Sequence, residues 1–136
     1  DSDNICLYLD SISKKNTLFP KENYWKIMTN TSIANGLMEA VLERRMEIIR
    51  PVNEKSNNFI SKQETRIFRT IKWIEKNWNN FNEEYMTMDQ IAVACALDYT
   101  IFRFSDKWKN DNPKLNKWFG KFVNNNFMKS TTPYNK

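Results

Sequence analysis

The sequence predicts an all-α fold, and three observations support that prediction. Glycine occurs 2 times and proline 4 times in 136 residues, which disfavours a β fold rich in turns. Apolar residues recur at helical spacing in several segments, as in Leu115, Phe119 and Phe122. Residues 91–97 contain no charged side chain and have no polar face, which is typical of a buried helix. We therefore expect one helical domain with that stretch near its centre.

The chain begins with a short amphipathic helix predicted over residues 1–12, for which Ser2 is a suitable N-cap. So short a helix is marginally stable alone, so we expect it to pack on a larger surface. Residues 13–21 have no periodicity and contain Pro20, which indicates a linker. Leu18 and Phe19 are candidates to anchor that linker to the domain.

A long helical region is predicted from residue 22 to Arg50, where Pro51 disfavours further helix. Residues 29–32 suggest a break in it, and Gly36 suggests a close backbone contact or access for a ligand. The charged residues of its second half indicate a solvated, salt-bridged face, or alternatively the lining of a polar cleft. Its apolar stripe consists of Trp25, Met28, Ile33, Leu37, Ala40, Val41 and Ile48.

Two capping boxes mark predicted helix starts, because a hydroxyl at the N-cap and a Glu or Gln three residues later satisfy each other's backbone N–H. One box is Ser61 with Glu64, and the other is Thr87 with Gln90 at the start of the buried stretch. Asn112 followed by a proline predicts the start of the last helix. We expect loops over 53–58, 79–84 and 105–111, and an irregular end from residue 124 onward.

Composition narrows the chemistry that the chain can perform. It contains no histidine, which removes the commonest general base and the commonest zinc ligand, and we predict no metal site. Cys6 and Cys95 are predicted to be buried thiols. The net charge of +5 is not concentrated in one stripe, so we expect no nucleic-acid partner, although steeply salt-dependent binding would reveal one.

The chain has no apolar run of about 20 residues, so no membrane association is predicted. No signal or transit peptide is recognisable, and we expect a cytoplasmic protein. Because the first residue is Asp1, we expect the sequence to be part of a longer protein or to begin at a processing site.

Several short motifs, taken in order, resemble the glutathione S-transferase family of bacterial type. The resemblance covers nearly the whole chain and rests on the order and spacing of the motifs rather than on any one of them. Asn35 stands where the family usually has Asp. The matching motifs are Asp1-Ser2 with Tyr8-Leu9, Leu18-Phe19-Pro20, Ala34-Asn35-Gly36, Glu47 with Arg50-Pro51, Met86-Thr87 with Gln90-Ile91, Ala94–Tyr99 with Phe102-Arg103, Pro113 with Leu115 and Trp118, and Thr131–Pro133.

The resemblance implies a helical bundle of the glutathione S-transferase C-terminal domain type. Residues 1–12 would be the last helix of a missing thioredoxin-like domain, 13–21 the linker, and 22–136 the helical domain. The longer protein would be a glutathione transferase, a cytosolic homodimer whose substrates are glutathione and a small electrophile. The alternative is a non-catalytic interaction or scaffold module with the same helical fold. The catalytic residue of the family lies in the thioredoxin-like domain, so we predict none in this chain.

Candidate binding residues follow in part from the residues and in part from the resemblance. A serine hydroxyl and free N–H groups at a helix start can bind a carboxylate, although the sequence alone favours a plain N-cap at Ser2. The resemblance implies that Asp1 and Ser2 hold the γ-glutamyl end of glutathione. We predict that Asn35, Met38, Leu42 and Arg45, which share one face of the long helix, line the electrophile side. The alternative for this face is outward packing or a dimer surface.

Overall fold

The computed structural model describes residues 1–15, 17–78 and 85–132, and these residues form helices and connections without a β-strand. The predicted all-α fold is therefore confirmed. The predicted loop over 79–84 and Pro133 lie outside the described residues. The helices are α1 (Ser2–Ile12), α2 (Tyr24–Ile48), α3 (Asn57–Lys76), α4 (Met88–Arg103), α5 (Trp108–Asp111), α6 (Pro113–Phe122) and α7 (Asn126–Ser130), with short 3-10 turns at Lys21–Asn23 and Val52–Glu54.

The long helix α2 lies at the centre, because it packs against both α3 and α4. One apolar core joins these three helices with α5 and α6. Leu37 of α2, Ile71 of α3 and Leu97 of α4 are completely buried in it. A second, smaller cluster forms where Met128 of α7 packs with Ala94 and Phe122. The predicted irregular end therefore contains a short helix that contributes to the core.

Helix α4 is buried over most of its length, as the uncharged stretch predicted. Its central residues Val93, Ala94 and Leu97 are completely buried, and the helix packs against α2. The prediction of burial on every side is wrong at Cys95, whose side chain is exposed. The prediction of two buried thiols is likewise wrong, since Cys6 on α1 is only partly buried.

The start of α4 differs from the predicted capping box. Thr87 is the N-cap, but among the described residues its side chain caps no backbone N–H. Its Oγ1 instead donates to Asp89 Oδ1 (2.6 Å), which also accepts from the N–H of Gln90 (3.1 Å). The Gln90 amide donates to the carbonyl of Tyr85 (3.3 Å), and Asn30 Nδ2 donates to Asp89 Oδ2 (2.8 Å). The buried Asp89 carboxylate thus replaces the box, because as a charged acceptor it binds the hydroxyl more strongly.

The second predicted capping box is wrong, because α3 begins earlier than Ser61. Ser56 is the N-cap, and its Oγ accepts a hydrogen bond from the N–H of Phe59 (3.2 Å). Ser61 lies inside the helix, and Glu64 pairs with Arg44 of α2 (2.8 Å). Ser56 lies in the predicted polar loop, and its hydroxyl supplies the acceptor that the first turn of the helix needs, upstream of Ser61.

Helix α2 continues through the predicted break at residues 29–32. Thr29 accommodates the helix by donating its hydroxyl to the carbonyl of Trp25 (2.8 Å). Gly36 is not required for space, since a Cβ built there would lie 3.5 Å from Arg66 Nη2, an ordinary contact. The helix ends at Ile48, just ahead of Pro51, as the sequence predicts.

Hydrogen bonds join the segment between α1 and α2 to α1 on one side and to the start of α4 on the other. The Asp10 carboxylate of α1 accepts hydrogen bonds from the Thr17 hydroxyl and from the N–H of Leu18 (2.7 Å). The Leu18 carbonyl accepts from the N–H of Met88 (3.0 Å), and Phe19 is buried. The predicted anchoring by Leu18 and Phe19 is therefore present, through the backbone at one residue and the side chain at the other.

Candidate functional site

The predicted binding residues lie on α1 and α2, and one polar contact joins the two helices. Asn35 Nδ2 of α2 donates to both carboxylate oxygens of Asp3 on α1 (3.0 and 2.8 Å). Both residues are partly buried. This contact brings Asn35 close to the start of α1, where Asp1 and Ser2 lie. Sequence reasoning did not single out Asp3, although an acidic residue in the first turn of a helix is a recognisable signal.

The start of α1 is capped by Asp1 rather than by the predicted Ser2. Asp1 Oδ1 accepts from the N–H of Asp3 (2.8 Å), and the Asp1 carbonyl accepts from the N–H of Ile5 (3.2 Å). Ser2 is the first helical residue, and both Asp1 and Ser2 are exposed. The helix start thus offers an exposed hydroxyl and N–H dipoles next to two carboxylates.

The four predicted lining residues of α2 divide into two environments. Met38 packs against the core, and the Asn35 amide is hydrogen-bonded to the Asp3 carboxylate. Leu42 and Arg45 are exposed on the open surface. Only the last two are therefore free of the domain's own packing to meet a small molecule or a partner.

An exposed apolar stripe extends along the second half of α2. Leu42, Met46 and Ile49 are 48%, 54% and 53% exposed, and their spacing of four and three places them on one helix face. Sequence reasoning named only the first of the three. The signal for the other two is their i+4 and i+7 spacing, which the charged neighbours obscured.

Helix α1 presents a second exposed apolar stripe. Ile5, Tyr8, Leu9 and Ile12 are between 55% and 65% exposed, and no residue of this fully described helix is buried. An amphipathic helix of 11 residues with its apolar face in water is marginally stable. This face therefore requires a covering surface.

The charged residues of α2 form the predicted salt-bridged face. Arg44 pairs with Glu64, and Arg66 of α3 lies 3.4 Å from Glu39 and 3.5 Å from Glu43. These pairs join α2 to α3. An adjoining cavity of about 680 Å³ includes none of the four predicted lining residues; it is lined by Glu43, Asn58, Ser61, Lys62, Gln63, Thr65, Arg66 and Arg69.

Neither an activated thiol nor a metal centre emerges from the described residues. The surrounding protein raises the pKa of the Cys95 thiol by desolvation, and the nearby Asp98 and Cys6 raise it further. A thiol with a raised pKa is a poor nucleophile at neutral pH. Within 1–15, 17–78 and 85–132, His, Cys, Asp and Glu do not form a group able to hold a metal ion. No helix in these ranges is long and apolar enough to cross a membrane.

This helical architecture is similar to that of known proteins. No protein-family model matches the sequence. The chain is 25% identical over 122 residues to an uncharacterized GST-like protein, YibF, of Escherichia coli (strain K12). The match includes 86% of this chain and 60% of YibF, so the chain spans less than two thirds of that relative's length.

Matches to solved structures cover more of this chain than the match to YibF does. One is a glutathione transferase family member from Pseudomonas fluorescens Pf-5 with bound S-(propanoic acid)-glutathione. The match covers 98% of this chain and 70% of the Pseudomonas chain, with a TM-score of 0.92 and 29% sequence identity. Its structure with bound glutathione gives a TM-score of 0.93 over 67% of that chain. A glutathione S-transferase from Methylobacillus flagellatus KT has the same fold, with a TM-score of 0.91 at 24% identity. The chain is therefore similar to the glutathione S-transferase family, and it shares the helical fold of these transferases over nearly its whole length.

Proposed function

We propose that the chain is the helical half of a glutathione transferase, in which a thioredoxin-like domain covers α1 and completes a glutathione site. The exposed apolar stripe of α1 is the observation that carries the proposal, since it needs a covering surface. Residues 1–12 are then the last helix of the thioredoxin-like domain, 13–21 the linker and 22–136 the helical domain. The Pseudomonas fluorescens relative binds glutathione, which supports the choice of ligand.

In this proposal, Asp1 and Ser2 bind the γ-glutamyl end of glutathione, which carries both an ammonium and a carboxylate group. The Asp1 carboxylate is suited to the ammonium group, because opposite charges attract strongly at short range. The Ser2 hydroxyl and the free N–H groups of the first helical turn are suited to the carboxylate group. Both residues are exposed and available for such contacts.

The exposed face of α2 would meet the electrophile. Leu42 and Met46 supply apolar surface for its carbon skeleton, and Arg45 supplies a positive charge beside it. The glutathione thiolate attacks an electrophilic carbon, a carbon–sulfur bond forms, and the leaving group departs with the electron pair of its own bond. A hydrogen-bond donor on the thioredoxin-like domain would stabilise the thiolate. We therefore expect the 136-residue chain alone to show no transferase activity.

The longer protein is proposed to be a cytosolic homodimer. Exposed apolar residues on α2 and the charged pairs between α2 and α3 offer a surface of mixed character, as dimer interfaces require. The same α2 face thus serves the electrophile at one end and is a candidate dimer surface at the other.

The test of this function uses the protein at its full native length, assayed for thioether formation between glutathione and an aryl halide. We expect Leu42→Asp to raise the KM for the aryl halide about tenfold and to leave the KM for glutathione unchanged, because only the apolar wall is altered. Val52→Asp, at an exposed residue of the 3-10 turn, is the matched control and should change neither constant. Absence of thioether formation by the unaltered protein would contradict the proposed reaction.

The alternative function is a non-catalytic interaction module. One observation favours it: Trp25 and Trp73, both exposed, flank a cavity of about 560 Å³ between α2 and α3. Exposed indoles are typical anchors of protein interfaces. The alternative predicts that the full-length protein forms no thioether, whereas Trp25→Ala abolishes a protein complex.

A further inference from the structure

We propose that Asn35 is a positioning residue, which holds the start of α1 through Asp3 and thereby sets Asp1 and Ser2 for the γ-glutamyl end of glutathione. The inference rests on the proposed function, and it changes the predicted role of Asn35 from lining the electrophile side to orienting the glutathione side. Its basis is the pair of hydrogen bonds from Asn35 Nδ2 to the two Asp3 oxygens (3.0 and 2.8 Å).

Asp3 is coupled directly to the proposed binding residues. Its backbone N–H donates to Asp1 Oδ1 (2.8 Å), and it follows Ser2 in the chain. A shift of Asp3 would therefore move the Asp1 carboxylate and the Ser2 hydroxyl with it. Displacements of about 1 Å are enough to reduce binding and catalysis severely in preorganised sites.

Helix α1 depends on polar contacts at its two ends. No residue of this helix, which is described throughout, is buried against the domain. Asp10 holds the far end through Thr17 and Leu18, and the Asp3–Asn35 contact holds the end that carries Asp1. Asn35 itself is fixed, since it lies in the middle of the continuous helix α2.

The contact depends on the amide at residue 35. A neutral amide can donate to the ionised Asp3 carboxylate, and hydrogen bonds to a charged group are the stronger kind. An aspartate at residue 35 would instead place two carboxylates within hydrogen-bond distance and push α1 away. Exchanging the two side chains restores the pair with its donor and acceptor reversed, which allows a rescue experiment.

The experiment measures glutathione affinity by calorimetry on the protein at its full native length. We expect Asn35→Asp to weaken glutathione binding about tenfold, which corresponds to the loss of one charge-assisted hydrogen bond. The double variant Asp3→Asn with Asn35→Asp should return the affinity to within about threefold of the unaltered protein. Ser11→Asp, which adds the same charge at an exposed residue near the other end of the same helix, is the control and should have little effect.

Thermal unfolding of each variant separates positioning from a structural role. Recovery of affinity in the double variant supports the inference, whereas weak binding in both variants with unchanged unfolding temperatures overturns it. Full affinity in Asn35→Asp also overturns it, and leaves the proposed function standing. Absence of glutathione binding by the unaltered protein overturns the proposed function, and the positioning role of Asn35 with it.

Discussion

At the scale of single residues, buried polar groups decide how the helices join. Asp89 is almost completely buried, and its carboxylate accepts hydrogen bonds from Thr87, Gln90 and Asn30. It therefore closes the start of α4 and ties it to α2, two tasks that a capping glutamine could not perform together. A buried polar network stabilises the fold only while each of its donors and acceptors has a hydrogen-bond partner.

We expect Asp89→Ala to lower the free energy of unfolding by about 2 to 4 kcal/mol, because it leaves the Asn30 amide and the Thr87 hydroxyl buried without an acceptor. Urea unfolding of the 136-residue chain measures the change. Asp106→Ala removes an exposed carboxylate 3.8 Å from Lys109 and should cost less than about 1 kcal/mol. Equal losses in the two variants would contradict the role given to Asp89.

Glu47 is predicted to make the stability of the domain depend on pH. The backbone N–H of Ser56 donates to its carboxylate (2.7 Å) and Arg50 lies beside it, and together they hold the pKa of Glu47 below its ordinary value, against the opposing effect of desolvation. A lowered folded-state pKa means that the stabilisation is complete above the unfolded-state pKa of about 4.3 and is lost as pH falls through the folded value.

We therefore expect Glu47→Gln to be less stable than the unaltered chain at pH 7, and the difference to narrow as pH falls below about 4. Urea unfolding at several pH values gives the difference directly. Glu54→Gln, at an exposed partner of the same arginine, is the control and should cost less stability than Glu47→Gln at pH 7. A difference that stays constant from pH 7 to pH 3 would show that the Glu47 charge does not contribute.

At the scale of elements, the helices were predictable and several of their starts were not. Periodicity identified α1, α2 and α6, because apolar spacing reports which face is buried, and the uncharged stretch identified α4. The box at Ser61 was wrong because two hydroxyls compete for the same role, and the sequence does not show that Glu64 is needed by Arg44 across the interface. Helix starts that depend on a partner helix need the tertiary structure.

The start of α6 illustrates the same limit. Asn112 is the N-cap and Pro113 the first helical residue, as predicted, yet no side-chain capping bond from Asn112 is present in the described chain. The Glu75 carboxylate of α3 accepts instead from the N–H groups of Lys114 (3.2 Å) and Leu115 (2.8 Å). An acceptor 40 residues away could not be found by local spacing.

A pair of serine variants tests the corrected start of α3. We expect Ser56→Ala to lower the free energy of unfolding by about 1 kcal/mol, because it removes the acceptor for the N–H of Phe59. Ser61→Ala, inside the helix, should be neutral within about 0.5 kcal/mol, since alanine has the better helix propensity. Urea unfolding distinguishes them, and the reverse order would restore the predicted capping box.

At the scale of the whole molecule, the described residues leave an apolar stripe exposed on α1 and another on α2. Sequence reasoning placed the glutathione-side residues at the start of α1 from the resemblance, but it could not foresee that Asn35 would bond to Asp3. Of the four residues predicted to line the electrophile side, Leu42 and Arg45 are exposed and Met38 contacts the core.

The central claim is that this domain, with α1, forms one side of a glutathione site. Amide hydrogen exchange of the full-length protein, with and without glutathione, tests it most directly. We expect slower exchange on adding glutathione in residues 1–12, where the proposed contacts begin, and a smaller effect in residues 35–45 of α2. Binding of glutathione without any change in residues 1–12 would contradict the claim.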